Sequence, residues 1–183
     1  MRTRDAHPPG TAEPVRFLVK PTAFIALFLS ITLSILALAD QHETTQKQAY
    51  FGDLHIHTRY SYDAFFFGTL ASRDDAYRFA KGEPIPHASG RDVVISQPLD
   101  FYAVTDHAFF LGVWWTMKTD RDHPMAKEAD VRAIVDNRNF GGAYTFDRSR
   151  LPVDTVRSAW KDVQAAAERH NDPGNFTTFL AFE

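Results

Sequence analysis

The sequence has 183 residues, of which 44% are hydrophobic, and its 23 acidic and 20 basic residues give a formal net charge of −3. Nucleic-acid binding usually requires a basic face, so this charge balance excludes nucleic acid as the main partner. The chain contains no cysteine, which excludes disulfides and cysteine-ligated zinc, and any metal must be held by imidazole and carboxylate groups.

The N-terminal segment, residues 1–39, is typical of an export signal. A positive flank over residues 1–20 precedes an uncharged apolar run over 23–39, which ends in the Ala-Leu-Ala pattern that signal peptidase reads. We predict cleavage after Ala39 and export to the periplasm or the medium. The alternative is an uncleaved membrane anchor, because the run is at the lower limit of about 17 to 25 residues for a spanning helix.

A polar linker over residues 40–49 separates this segment from a folded domain over 50–183. The domain opens with the sequence YFGDLHIH, in which successive residues alternate between two sets. This period of two predicts a strand that places Asp53, His55 and His57 on one face.

The two histidines of this strand are candidate metal ligands. Imidazoles held two residues apart on a strand end can share one divalent ion, and Asp63 in the following polar loop adds a carboxylate that such ions accept. A surface strand that carries two histidines by chance is the alternative, since short motifs also match at random.

The middle of the chain predicts a helix over 71–81, where apolar residues recur at helical spacing. A hairpin follows within 84–97, and its His87 is expected in solvent. The mostly apolar run over 99–104 predicts a parallel strand buried on both faces, which ends just before Asp106 and His107.

Aromatic residues follow both candidate ligand loops. We expect core packing for most of them, and the alternative is the wall of a pocket. They are Phe65, Phe66, Phe67, Phe109, Phe110, Trp114 and Trp115. The loop composition around His123 predicts a solvent-exposed side chain.

The last part of the chain predicts a helix over 125–137, which ends at the two glycines within 139–143. An amphipathic helix is predicted over 156–167. A third strand-like run over 176–183 then ends in Glu183. Strands that alternate with helices indicate an α/β protein with a mostly parallel sheet, whose strand ends meet at one rim.

Three strand-like runs therefore each finish in potential ligands. The motifs DLHIHT and SYDA, then VTDH, then LAFE resemble the opening motifs of the PHP (polymerase and histidinol phosphatase) metallohydrolases, and they are most similar to an exported branch of uncharacterised function. The resemblance covers residues 50–183. It implies part of a distorted (β/α) barrel, truncated after about three core strands.

The resemblance also implies the roles of individual residues. Asp106 would either contact metal directly or orient a ligand. The implied metal ligands are His55 and His57 as a pair, Asp63, His107, and Glu183 as a carboxylate that bridges metals.

The implied chemistry is hydrolysis by a metal-bound water, with no side chain assigned as the base, and with Zn, Mn or Fe in a multinuclear cluster. The PHP phosphatases suggest a phosphate ester of a small molecule as substrate. Arg59 is the candidate contact for the phosphate, and a solvated loop arginine is the alternative.

Two other functions stay open. The first is a truncated, non-catalytic remnant or metal-binding module. The second is an amidohydrolase, which also uses His-x-His on its first strand, although Asp63 and the Thr-Asp-His triplet at 105–107 argue against it.

Removal of 39 residues from 183 leaves 144, whereas a complete (β/α) barrel takes about 250. We therefore expect the N-terminal part of a longer protein or a truncated product, with an exposed edge beside the third strand that favours association.

Overall fold

Three parallel strands form the sheet that carries the predicted ligands. The structure is a computed structural model and describes residues 47–183. The strands of this part are β1 (Gly52–Ile56), β2 (Ile85–Pro86), β3 (Asp92–Val93), β4 (Phe101–Val104) and β5 (Thr177–Leu180). The sheet has the order β1-β4-β5 with both pairs parallel, while β2 and β3 form a separate antiparallel pair. The α/β class and the hairpin before the second core strand are confirmed.

The register brings the three strand ends together. Val104 of β4 pairs with Ile56 of β1 and with Leu180 of β5, so the three strands finish at the same edge of the sheet. The pairing of β1 is irregular between Asp53 and Ile56. Among the described residues the sheet does not close on itself, and a complete barrel stays a prediction.

Helices connect the strands. In the described part the α-helices are α1 (Tyr62–Phe67), α2 (Arg73–Ala80), α3 (Val113–Thr119), α4 (Ala129–Asp136), α5 (Phe140–Tyr144) and α6 (Val153–His170). The predicted helices over 71–81 and 156–167 are confirmed as α2 and α6. Helix α2 begins where the sequence indicates because Ser72 and Asp75 form a capping box, in which each side chain accepts a hydrogen bond from the backbone N–H of the other.

The region between α3 and α6 differs from the prediction. The helix expected over 125–137 is a short 3₁₀ helix, Pro124–Lys127, followed by α4. The break is confirmed in that α4 ends at Asp136, but residues 139–143 also form most of the short helix α5 despite its two glycines, which the sequence did not predict. The Asn139 side chain accepts a hydrogen bond from the Gly142 N–H and starts this helix.

His123 is half-buried and not solvent-exposed as expected. Its Nδ1 accepts a hydrogen bond from the Met125 N–H at 3.2 Å, and this contact starts the 3₁₀ helix. The loop composition around His123 did not indicate this capping role, because the role depends on the geometry of the turn.

The core has two main parts. Helices α2 and α6 cover one side of the sheet, where Tyr77 and Ala166 pack with Tyr102 and Val104. The second part lies among α1, α3, α4 and α5 and contains most of the predicted aromatic cluster. Core packing is confirmed for Phe65, Phe66, Phe110 and Trp114, which are all buried, whereas Phe67 is 78% exposed.

The N-terminal predictions fall outside the described residues. This holds for the signal peptide or anchor over 1–39 and for most of the linker over 40–49. Within residues 47–183 no helix combines the length and apolar character needed to cross a membrane.

Candidate metal centre

The ends of β1 and β4 are tied together by Thr105. Its N–H donates to the Ile56 carbonyl at 2.7 Å, and its Oγ1 accepts from the Ile56 N–H at 2.9 Å. Because Ile56 lies between His55 and His57, these bonds fix the backbone that carries both imidazoles. The two rings lie with their centroids 5.0 Å apart.

Glu183 is held against the loop that follows β4. Its N–H donates to the Asp106 carbonyl at 3.3 Å, and its own carbonyl accepts from the Ala108 N–H at 2.9 Å. These two bonds continue the β4-β5 contact beyond the strands. These bonds place the Glu183 carboxylate next to His55 and His57.

The first group of potential ligands consists of His55, His57 and Glu183. Glu183 Oε2 lies 2.7 Å from His57 Nε2 and 3.1 Å from His55 Nε2. The side chain of His55 is 70% exposed and that of His57 is 16% exposed, so the group opens to solvent on the His55 side.

The second group consists of His57, Asp63 and His107. Asp63 Oδ2 lies 3.1 Å from His57 Nδ1 and 3.5 Å from His107 Nε2. Ser61 orients this group, because its hydroxyl donates to Asp63 Oδ1 at 2.6 Å and accepts from the His107 N–H at 3.2 Å. The structure thus brings together five of the six residues predicted as ligands.

His57 belongs to both groups and offers a different ring nitrogen to each. If Nδ1 donates its proton to Asp63, Nε2 presents a lone pair toward the Glu183 carboxylate at 2.7 Å. Two acceptors at this distance repel each other unless a cation lies between them. A proton or a metal ion at this point resolves the conflict, and a carboxylate on Nδ1 is the usual partner of a metal-binding histidine.

The donor set and its spacing fit a divalent ion. Imidazole nitrogens and carboxylate oxygens suit Zn, Mn and Fe. Ligands bound at about 2.0–2.1 Å to a tetrahedral ion lie about 3.4 Å from one another. The separations in the first group are 2.7 and 3.1 Å, so a small outward movement of the exposed His55 and Glu183 side chains accommodates the ion.

The two carboxylates are held in their ionised form. The hydrogen bond from His57 lowers the pKa of Glu183, and the nearby His107 and His55 lower it further. Burial alone would raise the pKa of Asp63, but hydrogen bonds from Ser61 and the Ala64 N–H lower it below its ordinary value. Both groups are therefore charged at neutral pH and suited to bind a cation.

The structure does not bring Asp106 into either group. This side chain is 2% exposed, and both of its oxygens accept hydrogen bonds from Thr58, one from the N–H and one from the hydroxyl at 2.7 Å. Burial raises its pKa, while the Thr58 bonds and the charge of Arg73 oppose that rise. Asp106 therefore holds Thr58 in the loop that follows β1. This agrees with a role in orienting a ligand and not with direct contact to metal.

Arg59, expected to contact phosphate, lies against other partners. Its guanidinium sits 4.2 Å from the Trp115 ring centroid and donates to the Leu70 carbonyl at 3.3 Å. Burial and the neighbouring Arg73 lower its pKa. These contacts hold Arg59 against α3 and the segment before α2, so the structure gives no support for the phosphate contact.

Sequence reasoning left several site residues without a role. Thr58, Ser61 and Thr105 are all buried and position the ligand loops. Tyr62, between Ser61 and Asp63, lies with its ring centroid 5.0 Å from that of His107. The clustering of small hydroxyl residues beside the ligands was the only available signal.

Beside the first group, a shallow cavity of about 250 Å³ is lined by Leu54, His55, Thr105, Phe182 and Glu183.

Fold and site together define an α/β protein with a candidate divalent-metal centre at the carboxyl ends of a parallel sheet. Residues 44–183 match the family model described as "Protein of unknown function (DUF3604)". The chain therefore belongs to this family. Comparison with curated proteins and comparison with solved structures each found no match.

Proposed function

We propose that this chain carries the metal centre of a PHP-type hydrolase, which is exported and acts on a phosphate ester of a small molecule. One observation carries the proposal: His57 faces Asp63 through Nδ1 and Glu183 through Nε2, and a metal ion on Nε2 would satisfy both carboxylates in place of a second ring proton. The sheet order β1-β4-β5 follows the chain order, as in a stretch of (β/α) barrel, and this supports the finer fold assignment.

A bound divalent ion would polarise the phosphoryl group and lower the pKa of a water molecule toward neutrality. The side chains of this chain do the positioning. Asp63 fixes the His57 ring, and Ser61 fixes Asp63. Glu183 contributes a negative charge that the His57 hydrogen bond keeps ionised by lowering its pKa. Zn, Mn and Fe all suit this donor set.

The phosphate ester is inferred from the PHP motifs and not from a basic pocket. Fold and motif resemblance are weaker grounds for a substrate than site chemistry. The exposed imidazole of His55 and the open cavity beside it leave room for a small anionic group next to the ligands. A metal-binding module without turnover is the second candidate, and the exposure of His55 and Glu183 at 70% and 46% favours it.

Metal content and activity test the proposal together. We expect the full chain to retain zinc or manganese after dialysis and to release phosphate from p-nitrophenyl phosphate, with loss of activity in EDTA. The double variant His55→Ala, His57→Ala should lose both the metal and the activity. The control is His87→Ala, because His87 is exposed and its Nδ1 contacts only its own hairpin at Ser89.

The outcomes separate the two candidates. Metal retention without hydrolysis of any phosphate ester would favour the binding module. Equal metal content in the double variant and in His87→Ala would overturn the metal centre itself. Export is tested separately by the intact mass of the natural protein, because cleavage after Ala39 removes residues 1–39 and an anchor keeps them.

A further inference from the structure

A group of aromatic rings lies beside the candidate metal centre. We call it the aromatic platform, and it consists of Tyr62, Phe67, Phe140 and Tyr144. The Phe140 ring is nearly parallel to the other three, at angles of 18° to Tyr62, 24° to Phe67 and 20° to Tyr144. The corresponding centroid distances are 5.6, 5.3 and 6.4 Å. Phe140 therefore stacks with three rings from α1 and α5, although Tyr62 and Tyr144 are tilted by 37° relative to each other.

The platform is continuous with the metal centre through Tyr62. The Tyr62 ring centroid is 5.0 Å from that of His107, which belongs to the second ligand group. The Tyr62 ring is therefore in contact with one of the candidate ligands.

Tyr62 and Phe140 of the platform pack against the core, whereas its other two residues are exposed in a way that core packing does not explain. Tyr144 is 54% exposed and Phe67 is 78% exposed, whereas the neighbouring Phe66 and Phe110 are buried and account for the core of this region. Exposed apolar surface next to polar groups marks binding sites in soluble proteins. The exposed Tyr144 ring lies 6.3 Å from the Tyr62 ring, which in turn contacts the candidate ligand His107.

A positive charge lies at the edge of the platform. The guanidinium of Arg148 sits 4.1 Å from the ring centroid of Phe109, and Phe109 contacts Tyr144 and Tyr62 at 6.4 and 5.4 Å between centroids. This arrangement places a cationic group beside the rings that border the candidate ligands.

We propose that the aromatic platform is the subsite for the aromatic ring of the substrate, which is an aryl ester of phosphate. This inference rests on the proposed function. Hydrolysis forms a bond between the water oxygen and phosphorus and breaks the bond between phosphorus and the aryl oxygen. One proton from the water ends on the departing phenol, and the products are phosphate and the phenol.

Two phosphonates that resist hydrolysis test the subsite, namely phenylphosphonate and cyclohexylphosphonate. They carry the same anion, and only the first has a ring that stacks. We expect the full chain to bind phenylphosphonate about three- to tenfold more tightly, as aromatic pairing predicts. Tyr144→Ala and Tyr144→Leu should reduce this ratio toward one, whereas Tyr144→Phe should keep it.

Phe51→Ala is the matched control, because Phe51 is also an exposed aromatic residue, at 67%, but precedes β1 at the end of the sheet opposite the ligands. Equal binding of the two phosphonates, no binding of either, or an unchanged ratio in both Tyr144→Ala and Tyr144→Leu would overturn the subsite. Repeating the titrations with zinc and with EDTA separates the two proposals. If phenylphosphonate still binds more tightly than cyclohexylphosphonate but zinc does not change either affinity, only the metal centre is contradicted. If zinc strengthens binding but the two phosphonates bind equally, only the platform is contradicted.

Discussion

Glu183 Oε2 lies 2.7 Å from His57 Nε2, although the two residues are 126 positions apart in the chain. The contact exists because β1 and β5 both pair with β4 in parallel and finish at the same edge. A carboxylate and an imidazole nitrogen at this distance need either a proton or a metal ion between them. This relationship is the physical basis of the metal centre that we propose.

Replacement of Asp63 by Asn should weaken zinc binding by about 10- to 100-fold, which is the usual effect of removing a carboxylate that orients or accompanies a metal-binding histidine. Asn keeps the shape of the side chain but removes the charge that faces His57 Nδ1. Competition with a chromophoric chelator measures the zinc affinity. Asp92→Asn is the control, since Asp92 is exposed in the β2-β3 hairpin. An unchanged affinity in Asp63→Asn would exclude Asp63 from the centre.

Thr58→Val should destabilise the fold by about 1–3 kcal/mol, because the buried Asp106 loses a hydrogen-bond donor that water cannot replace. Thr58 is fully buried, and its hydroxyl donates to Asp106 at 2.7 Å. Urea unfolding measures the free energy. The control is Thr119→Val, where an exposed hydroxyl donates to the Trp115 carbonyl, and we expect a change within about 0.5 kcal/mol. Equal losses of unfolding free energy in the two variants would show that the hydrogen bond between Thr58 and Asp106 does not stabilise the loop.

Gly112→Ala should cost about 2–5 kcal/mol, from left-handed backbone strain and from overpacking together. Gly112 has φ of 71°, and an added Cβ would lie 2.7 Å from the Ala159 Cβ in α6. Gly174→Ala isolates the strain, since Gly174 has φ of 94° and no atom within 4 Å of the added carbon. Its expected cost is about 1–2 kcal/mol. If thermal or urea unfolding gave equal losses, close packing at Gly112 would not matter.

The Asp74 carboxylate should make stability depend on pH in the acid range. Burial alone would raise the pKa of Asp74, but hydrogen bonds from Arg169 and His170 lower it. A lowered folded-state pKa gives stability that is present above the unfolded value of about 3.9 and is lost as the pH falls toward the folded value. The side chain is 42% exposed, so we expect at most about 1 kcal/mol.

Asp74→Asn tests this linkage by urea unfolding at pH 6 and at pH 3. The variant should be less stable than the parent protein at pH 6, and the difference should shrink at pH 3, because pH 3 lies below the unfolded pKa of about 3.9, where this contribution declines. A difference that stays constant between the two pH values would show that the Asp74 charge contributes nothing.

Local sequence rules predicted the regular elements because those elements follow from short-range chemistry. The Ser72 and Asp75 capping box starts α2 at the expected place, and the apolar spacing of α6 is visible in the residues that face the core. The same rules failed at α5. Two glycines disfavour a helix, but Phe140 packs against the aromatic core and Asn139 caps the first turn. Tertiary packing therefore outweighed local propensity.

The sequence by itself determined which side chains are available to hold a metal and that His55, His57, His107 and Glu183 lie at or just after the end of a strand. It determined this because strand periodicity and the chemistry of imidazole and carboxylate groups are local properties. Only the tertiary structure decided which of them meet. Parallel pairing brings Glu183 to His57, whereas burial turns Asp106 toward Thr58 and stacking holds Arg59 on Trp115. These directions depend on contacts between distant segments, which no local pattern encodes.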